Sequence, residues 1–67
     1  MSRTKVLSII AQLRDTANKK HNESTSAMKK LDYYLAYLQL KTLLEHERKF
    51  KLRELQVIPD QYSRINE

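Results

Sequence analysis

The chain has 67 residues and a net charge of +5 at neutral pH, with one proline, no cysteine and no glycine. These counts exclude disulfides, thiolate metal sites, glycine-rich phosphate loops and dinucleotide-binding fingerprints. A chain of this length forms one domain at most and buries only about 60% of its unfolded surface. We therefore expect the whole chain, residues 1–67, to be a single small domain that oligomerisation or a larger partner protein stabilises.

The composition, rich in leucine, lysine, glutamate, arginine and alanine, predicts an all-α fold. A first helix is predicted over about residues 4–19, and Ser2 or Thr4 can cap it, because either hydroxyl can accept a hydrogen bond from a free backbone N–H. Apolar residues recur there at spacings of three and four and so form one stripe. They are Val6, Ile9, Ile10, Leu13 and Ala17. This pattern is typical of an amphipathic helix that buries one face.

A polar connection over about residues 20–25 leads to a second predicted helix, over about residues 26–56. A short polar link between two amphipathic helices indicates antiparallel neighbours, so we predict a two-helix hairpin with a longer second helix. Pro59 restricts the residue before it away from helical angles and should stop the second helix nearby. The C-terminal tail, residues 57–67, either docks on the hairpin as a short turn or stays loose.

The second helix is apolar on two faces when its side chains are placed about 100° apart. One face, the Leu35 stripe, consists of Met28, Leu31, Tyr34, Leu35 and Leu38, with Leu52 as its forward extension. The opposite face, the Leu40 stripe, consists of Tyr33, Ala36, Tyr37, Leu40, Leu43 and Leu44, and it reaches toward Phe50. A helix that is apolar nearly all round needs cover on both sides, and the first helix can cover one side alone.

We expect the uncovered side of the second helix to bind a partner. The predicted partner or oligomer interface consists of Tyr33, Tyr37, Leu40, Leu43, Leu44 and Phe50. Tyrosine among leucines at helical spacing is typical of an interface, with the hydroxyl at the wet rim, and tyrosine is enriched at binding hot spots. The predicted assembly is a dimer in which two hairpins form a four-helix bundle, since twofold dimers are the commonest closed oligomers.

The two histidines do not have the spacing of a catalytic or metal site. His46 stands between Glu45 and Glu47, and consecutive helical residues point about 100° apart, so these three side chains cannot converge on one metal ion. His21 lies in the connection and has no ligand spacing to His46. No acid–base constellation is assembled by the sequence. We therefore predict that the protein is not an enzyme and has no catalytic, cofactor-binding or metal-binding residues.

A basic run in the second half of the chain offers contacts for an anionic partner. It consists of Arg48, Lys49, Lys51 and Arg53. On one continuous helix these residues would form two opposed pairs with glutamates between them, which is typical of a solvated mixed-charge helix. A dimer would nevertheless bring basic patches from two chains together, so the alternative function is a basic dimeric regulator that binds nucleic acid through the charged end of the second helix.

No apolar segment approaches the roughly 18 residues of a membrane span. The basic start and the short apolar patch after it are interrupted by Gln12, Arg14 and Asp15, so we expect no signal peptide and a cytoplasmic location. The partners we expect are a second copy of the chain, another protein, or both, and neither a membrane nor a small-molecule substrate. The predicted function is that of a small helical protein–protein interaction module: a regulator, an inhibitor, an assembly chaperone or a small structural subunit.

Overall fold

The structure is a computed structural model that describes residues 2–66. Four α-helices lie within that range: α1 over Arg3–Glu23, α2 over Ala27–Glu45, α3 over Leu52–Gln56 and α4 over Ile58–Gln61. Two 3₁₀ turns lie over Glu47–Lys49 and Ser63–Asn66. Residues 2–66 contain no strand, so the predicted all-α class is confirmed for the part of the chain that the structure describes.

Helix α1 begins as the sequence predicts and ends later. The Ser2 hydroxyl accepts a hydrogen bond of 3.2 Å from the backbone N–H of Lys5 and caps the helix start. The helix passes its predicted end near residue 19, because no proline or glycine interrupts it, and Lys20 and His21 suit the negative end of the helix dipole. The backbone N–H of Ser24 closes the last turn on the Lys20 carbonyl at 2.9 Å.

Contacts at both ends show how α1 lies along α2. Near the end of α1, the Lys20 ammonium is 5.9 Å from the ring centroid of Tyr33, and the His21 ring is 5.1 Å from the ring of Tyr34. At the start of α1, the Arg3 guanidinium bonds to the Glu47 carboxylate at 2.8 Å, just beyond the end of α2. The end of α1 therefore lies beside the first half of α2, and the start of α1 lies beside the far end of α2.

The second helix is shorter than predicted, since it ends at Glu45 and not near residue 56. It has 19 residues, against 21 in α1, so the prediction of a longer second helix is wrong. Residues 45–49 are all polar or charged, and the i, i+4 charge pairs that would support a longer helix contribute only about 0.2–0.5 kcal/mol each. Burial of one leucine such as Leu55, which is fully buried, contributes about 1.5–3 kcal/mol. Turning the chain back is therefore favoured over extending it.

The C-terminal segment docks on the rest of the molecule. Of the two alternatives that the sequence left open for residues 57–67, a docked turn or a loose tail, the structure has the docked one over residues 57–66. Leu55 and Ile65 are both fully buried, and the segment packs mainly against α1. The Tyr62 hydroxyl donates a hydrogen bond to the Gln39 side chain, and Arg64 pairs with Asp32 at 3.3 Å, so α2 holds the segment as well.

Pro59 has a different role from the predicted one. It lies in the first turn of α4, where a backbone N–H has no partner within the helix and its loss costs little. The preceding residue, Ile58, is itself the first residue of that helix. The proline therefore helps to begin α4, and α3 ends before it at Gln56.

One apolar core joins all of these helices. Its buried side chains come from α1, α2, α3 and the last 3₁₀ turn. They are Val6, Ile10, Leu13, Ala17, Ala36, Leu40, Leu55 and Ile65. The predicted stripe of α1 is confirmed as buried except for Ile9 at its edge, which is half-buried.

Truncation of Ile65 tests the docking of the C-terminal segment. We expect Ile65→Ala to lower the free energy of unfolding by about 2–5 kcal/mol and Ile65→Val by about 0.5–1.5 kcal/mol, because each leaves a cavity in the core. Urea unfolding followed by circular dichroism measures both changes. The matched control is Val57→Ala in the exposed linker before α4, which should stay within about 0.5 kcal/mol of the parent. Equal, small effects at both positions would mean that the segment does not dock.

Candidate protein-binding surface

The Leu40 stripe lies inside the molecule. Leu40 is fully buried and Ala36 nearly so, while Tyr37, Leu43 and Leu44 pack partly buried against the core. Phe50, which the sequence analysis placed at the end of this stripe, packs there too. The reason is that α1 lies on this side of α2 and brings Leu55 and Ile65 into the same cluster.

The structure places five of the six residues predicted to form a partner interface within the packing of their own chain, and Tyr33 is the exception. Tyr33 is half-buried beside Lys20. The side chain of Leu40 is not accessible to a partner in this fold. The expectation that this stripe would be left uncovered is wrong, because the sequence alone does not specify which of two apolar faces α1 covers.

The Leu35 stripe is the exposed face of α2. Among its members, Met28 is 84% exposed, Leu31 58%, Leu35 48% and Tyr34 41%. They recur at three- and four-residue spacing, so they lie in one row along the helix. Leu52, the predicted extension of this stripe, instead packs against the core because the helix ends before it. The row is a continuous apolar surface in contact with water.

An open apolar groove continues this row at the far end of α2. It has a volume of about 460 Å³. Its lining consists of Leu38, Gln39, Thr42, Leu43, His46, Phe50 and Tyr62. Because the Tyr62 hydroxyl is hydrogen-bonded to Gln39, one wall of the groove is held in place on α2. Leu38 belongs to both the Leu35 stripe and the groove, so the two form one surface, which we name the α2 face.

Charged residues border the α2 face, and their signs differ between its two ends. Lys29 and Lys30 lie in the first turn of α2 and are exposed, whereas Glu45 is exposed at its last residue. Lys41 lies between these ends, and Asp32 pairs with Arg64. Two lysines are thus exposed where α2 begins, and one glutamate is exposed where it ends.

A separate charged surface follows the end of α2. The basic turn, residues 48–53, contains Arg48, Lys49, Lys51 and Arg53, all of them exposed. The sequence pattern predicts these residues on two sides of a continuous helix. That placement is wrong, because a 3₁₀ turn and an extended Phe50 separate α2 from α3. The turn therefore presents its cations in an arrangement that a helical wheel does not describe.

Arg3 holds this turn in place from the other end of the sequence. Its guanidinium donates to the backbone carbonyl of Phe50 at 2.9 Å and to the backbone carbonyl of Glu47, and it pairs with the Glu47 carboxylate at 2.8 Å. Sequence reasoning missed this role. The position of Arg3 in the first turn of α1 is the one signal for it in the sequence. A positive charge there interacts unfavourably with the helix dipole, so an arginine at this position indicates a contact outside the helix.

The histidines have structural neighbours. His21 Nδ1 lies 3.0 Å from the Lys30 carbonyl, and His46 lines the groove. Within residues 2–66 no group of three or more histidine, aspartate or glutamate side chains could hold a metal ion. In the same part of the chain, every helix is too short or too polar to cross a membrane. In comparisons with known proteins, no family model, no curated protein and no solved structure matches this chain.

Replacement of Arg3 tests its hold on the basic turn. We expect Arg3→Gln to lower the free energy of unfolding by about 1–3 kcal/mol, because the Phe50 carbonyl and the Glu47 carboxylate lose the donor that Arg3 supplies, and the Glu47 carbonyl keeps only the Phe50 N–H. Amide hydrogen exchange of residues 47–51 should become faster, since the turn loses its attachment to α1. The matched control is Lys5→Gln, which removes one charge from an exposed side chain in the same turn of α1. Equal exchange rates in the two variants would contradict the role assigned to Arg3.

Proposed function

We propose that the protein is a non-enzymatic helical protein–protein interaction module whose α2 face binds a helix of another protein chain. The observation that carries this proposal is the row of large apolar side chains exposed along α2, from Met28 to Leu35. Contiguous exposed apolar surface is typical of interaction sites. Anchors at three- and four-residue spacing are the pattern by which helices pack into apolar grooves or against one another.

The occupant to which the proposal commits is a second copy of the chain, because the α2 face is complementary to itself. Met28 projects at one end of the face, and the groove lies at the other end, about 22 Å away at 1.5 Å per residue. Met28 and His46 are five helical turns apart and so share one side of the helix. A twofold axis beside Leu35 would place each Met28 in the groove of the other copy.

The pairing that this axis produces is antiparallel, and it opposes the two helix dipoles favourably. The dipole term favours one orientation of the pair more than it adds affinity.

The proposed assembly is a dimer of two-helix hairpins, each made of α1 and α2, which together form a four-helix bundle. Its shared core would be the Leu35 stripe, and the Leu40 stripe would stay within each copy. Regulators, inhibitors, assembly chaperones and small structural subunits all use surfaces of this kind. The module acts in each case by occupying a helix-binding surface.

Introducing a charge on the α2 face tests this proposal. We expect light-scattering mass over a concentration series to show a dimer for the parent chain. Leu35→Glu should shift the dissociation constant by at least tenfold toward monomer, because it places a carboxylate where two helices would meet. The matched control is Val57→Glu, since Val57 and Leu35 are both 48% exposed but Val57 lies off the α2 face.

Truncation of Met28 tests whether this side chain occupies the groove of the other copy. Met28→Ala should weaken the dimer, although Met28 contacts little within its own chain, being 84% exposed. A parent chain that is a monomer at every concentration would overturn the second copy as occupant. A dimer that Leu35→Glu and Val57→Glu weaken equally would place the interface away from the α2 face.

A further inference from the structure

The basic turn is a second surface that the proposed dimer does not use. Its four cations, Arg48, Lys49, Lys51 and Arg53, lie within six residues and are all exposed. Within residues 2–66, no ion pair joins any of these four side chains to an acidic residue. Such a density of free positive charge is costly unless solvent or an anion compensates it.

The two glutamates that flank the basic turn make hydrogen bonds with groups other than its cations. The Glu47 carboxylate accepts hydrogen bonds from Arg3 at 2.8 and 3.2 Å, so its charge is neutralised on the side facing α1. The Glu54 carboxylate accepts the backbone N–H of Lys51 at 2.8 Å and caps the start of α3. Glu47 and Glu54, the two glutamates that flank the turn, are therefore engaged by Arg3 and by the backbone, and the cations of the turn face water.

The turn is also held in one shape before any ligand arrives. Arg3 bonds to the backbone carbonyls of Glu47, just before the turn, and of Phe50, within it. Phe50 and Leu52 pack against the core and fix the backbone between the cations. A preorganised cluster loses less conformational entropy on binding than a mobile one, and so it binds an anion more tightly.

We propose that the basic turn binds the phosphate backbone of a nucleic acid, without reading its sequence. Two of its four cations are arginines, whose planar guanidinium can donate two hydrogen bonds to one phosphate. Of the two apolar residues within the turn, Leu52 packs against the core, and Phe50 is half-buried and lines the groove beside Tyr62. Basic segments that bind membranes combine their charge with a row of exposed apolar anchors, and this turn offers only the half-buried Phe50. The net charge of +5 adds long-range attraction to polyanions.

The experiment is fluorescence anisotropy with short labelled duplexes of DNA and of RNA, between about 50 and 200 mM salt. For the parent chain we expect log affinity to fall with log salt at a slope of about −3 to −4, as four phosphate contacts require. The triple variant Arg48→Gln, Lys51→Gln, Arg53→Gln should bind at least tenfold more weakly, with a slope shallower by about 3. The matched control, Lys19→Gln, Lys29→Gln, Lys41→Gln, removes the same charge from exposed lysines outside the turn and should keep most of the affinity and the slope.

Arg3→Lys separates the shape of the turn from its charge. The variant keeps the net charge but loses the guanidinium that donates to two backbone carbonyls. We therefore expect a loss of affinity that lies between those of the two triple variants. Circular dichroism checks that each variant folds. Equal weakening by the two triple variants would overturn the proposal, because net charge alone would then explain binding. Binding to vesicles rich in phosphatidylserine, with none to either duplex, would overturn it in favour of a membrane surface.

Discussion

The fold depends on the point at which α2 ends, and the Arg3 guanidinium is bound there. By donating to the Phe50 carbonyl it satisfies a backbone group that a continuing helix would have satisfied internally, and it adds a second donor to the Glu47 carbonyl. The chain can then turn back and bury Leu55 and Ile65. A chain of 67 residues has few apolar side chains to use, so returning these two to the core is a large share of its stabilisation.

The same turn determines which surface of α2 faces water. The C-terminal segment packs against α1 and contributes to the cluster around Leu40, so the Leu40 stripe is enclosed from more than one side. Nothing within residues 2–66 remains to cover the opposite face, and Met28, Leu31 and Leu35 stay exposed. The exposed row and the groove beside Tyr62 are thus consequences of one packing arrangement, and they form one surface.

The α2 face and the basic turn differ in chemistry and lie on different elements. Apolar contact on the face excludes water and depends weakly on salt, whereas phosphate contact at the turn depends strongly on it. An antiparallel pairing of α2 would leave one basic turn beyond each end of the paired helices. The two proposed activities are therefore compatible in one assembly, and salt distinguishes them experimentally.

The sequence by itself determined the features that depend on neighbouring residues. The all-α class, the Ser2 cap, the buried stripe of α1 and the two apolar faces of α2 follow from composition and from spacings of three and four. Tertiary structure decided the end of α2, the stripe that faces inward and the role of Arg3. Each of these depends on groups that are distant in the sequence, such as Arg3 and Phe50, which are 47 residues apart. The two stripes of α2 are similarly apolar, so no local property of the sequence specifies which one is buried. Packing against the rest of the chain decides it.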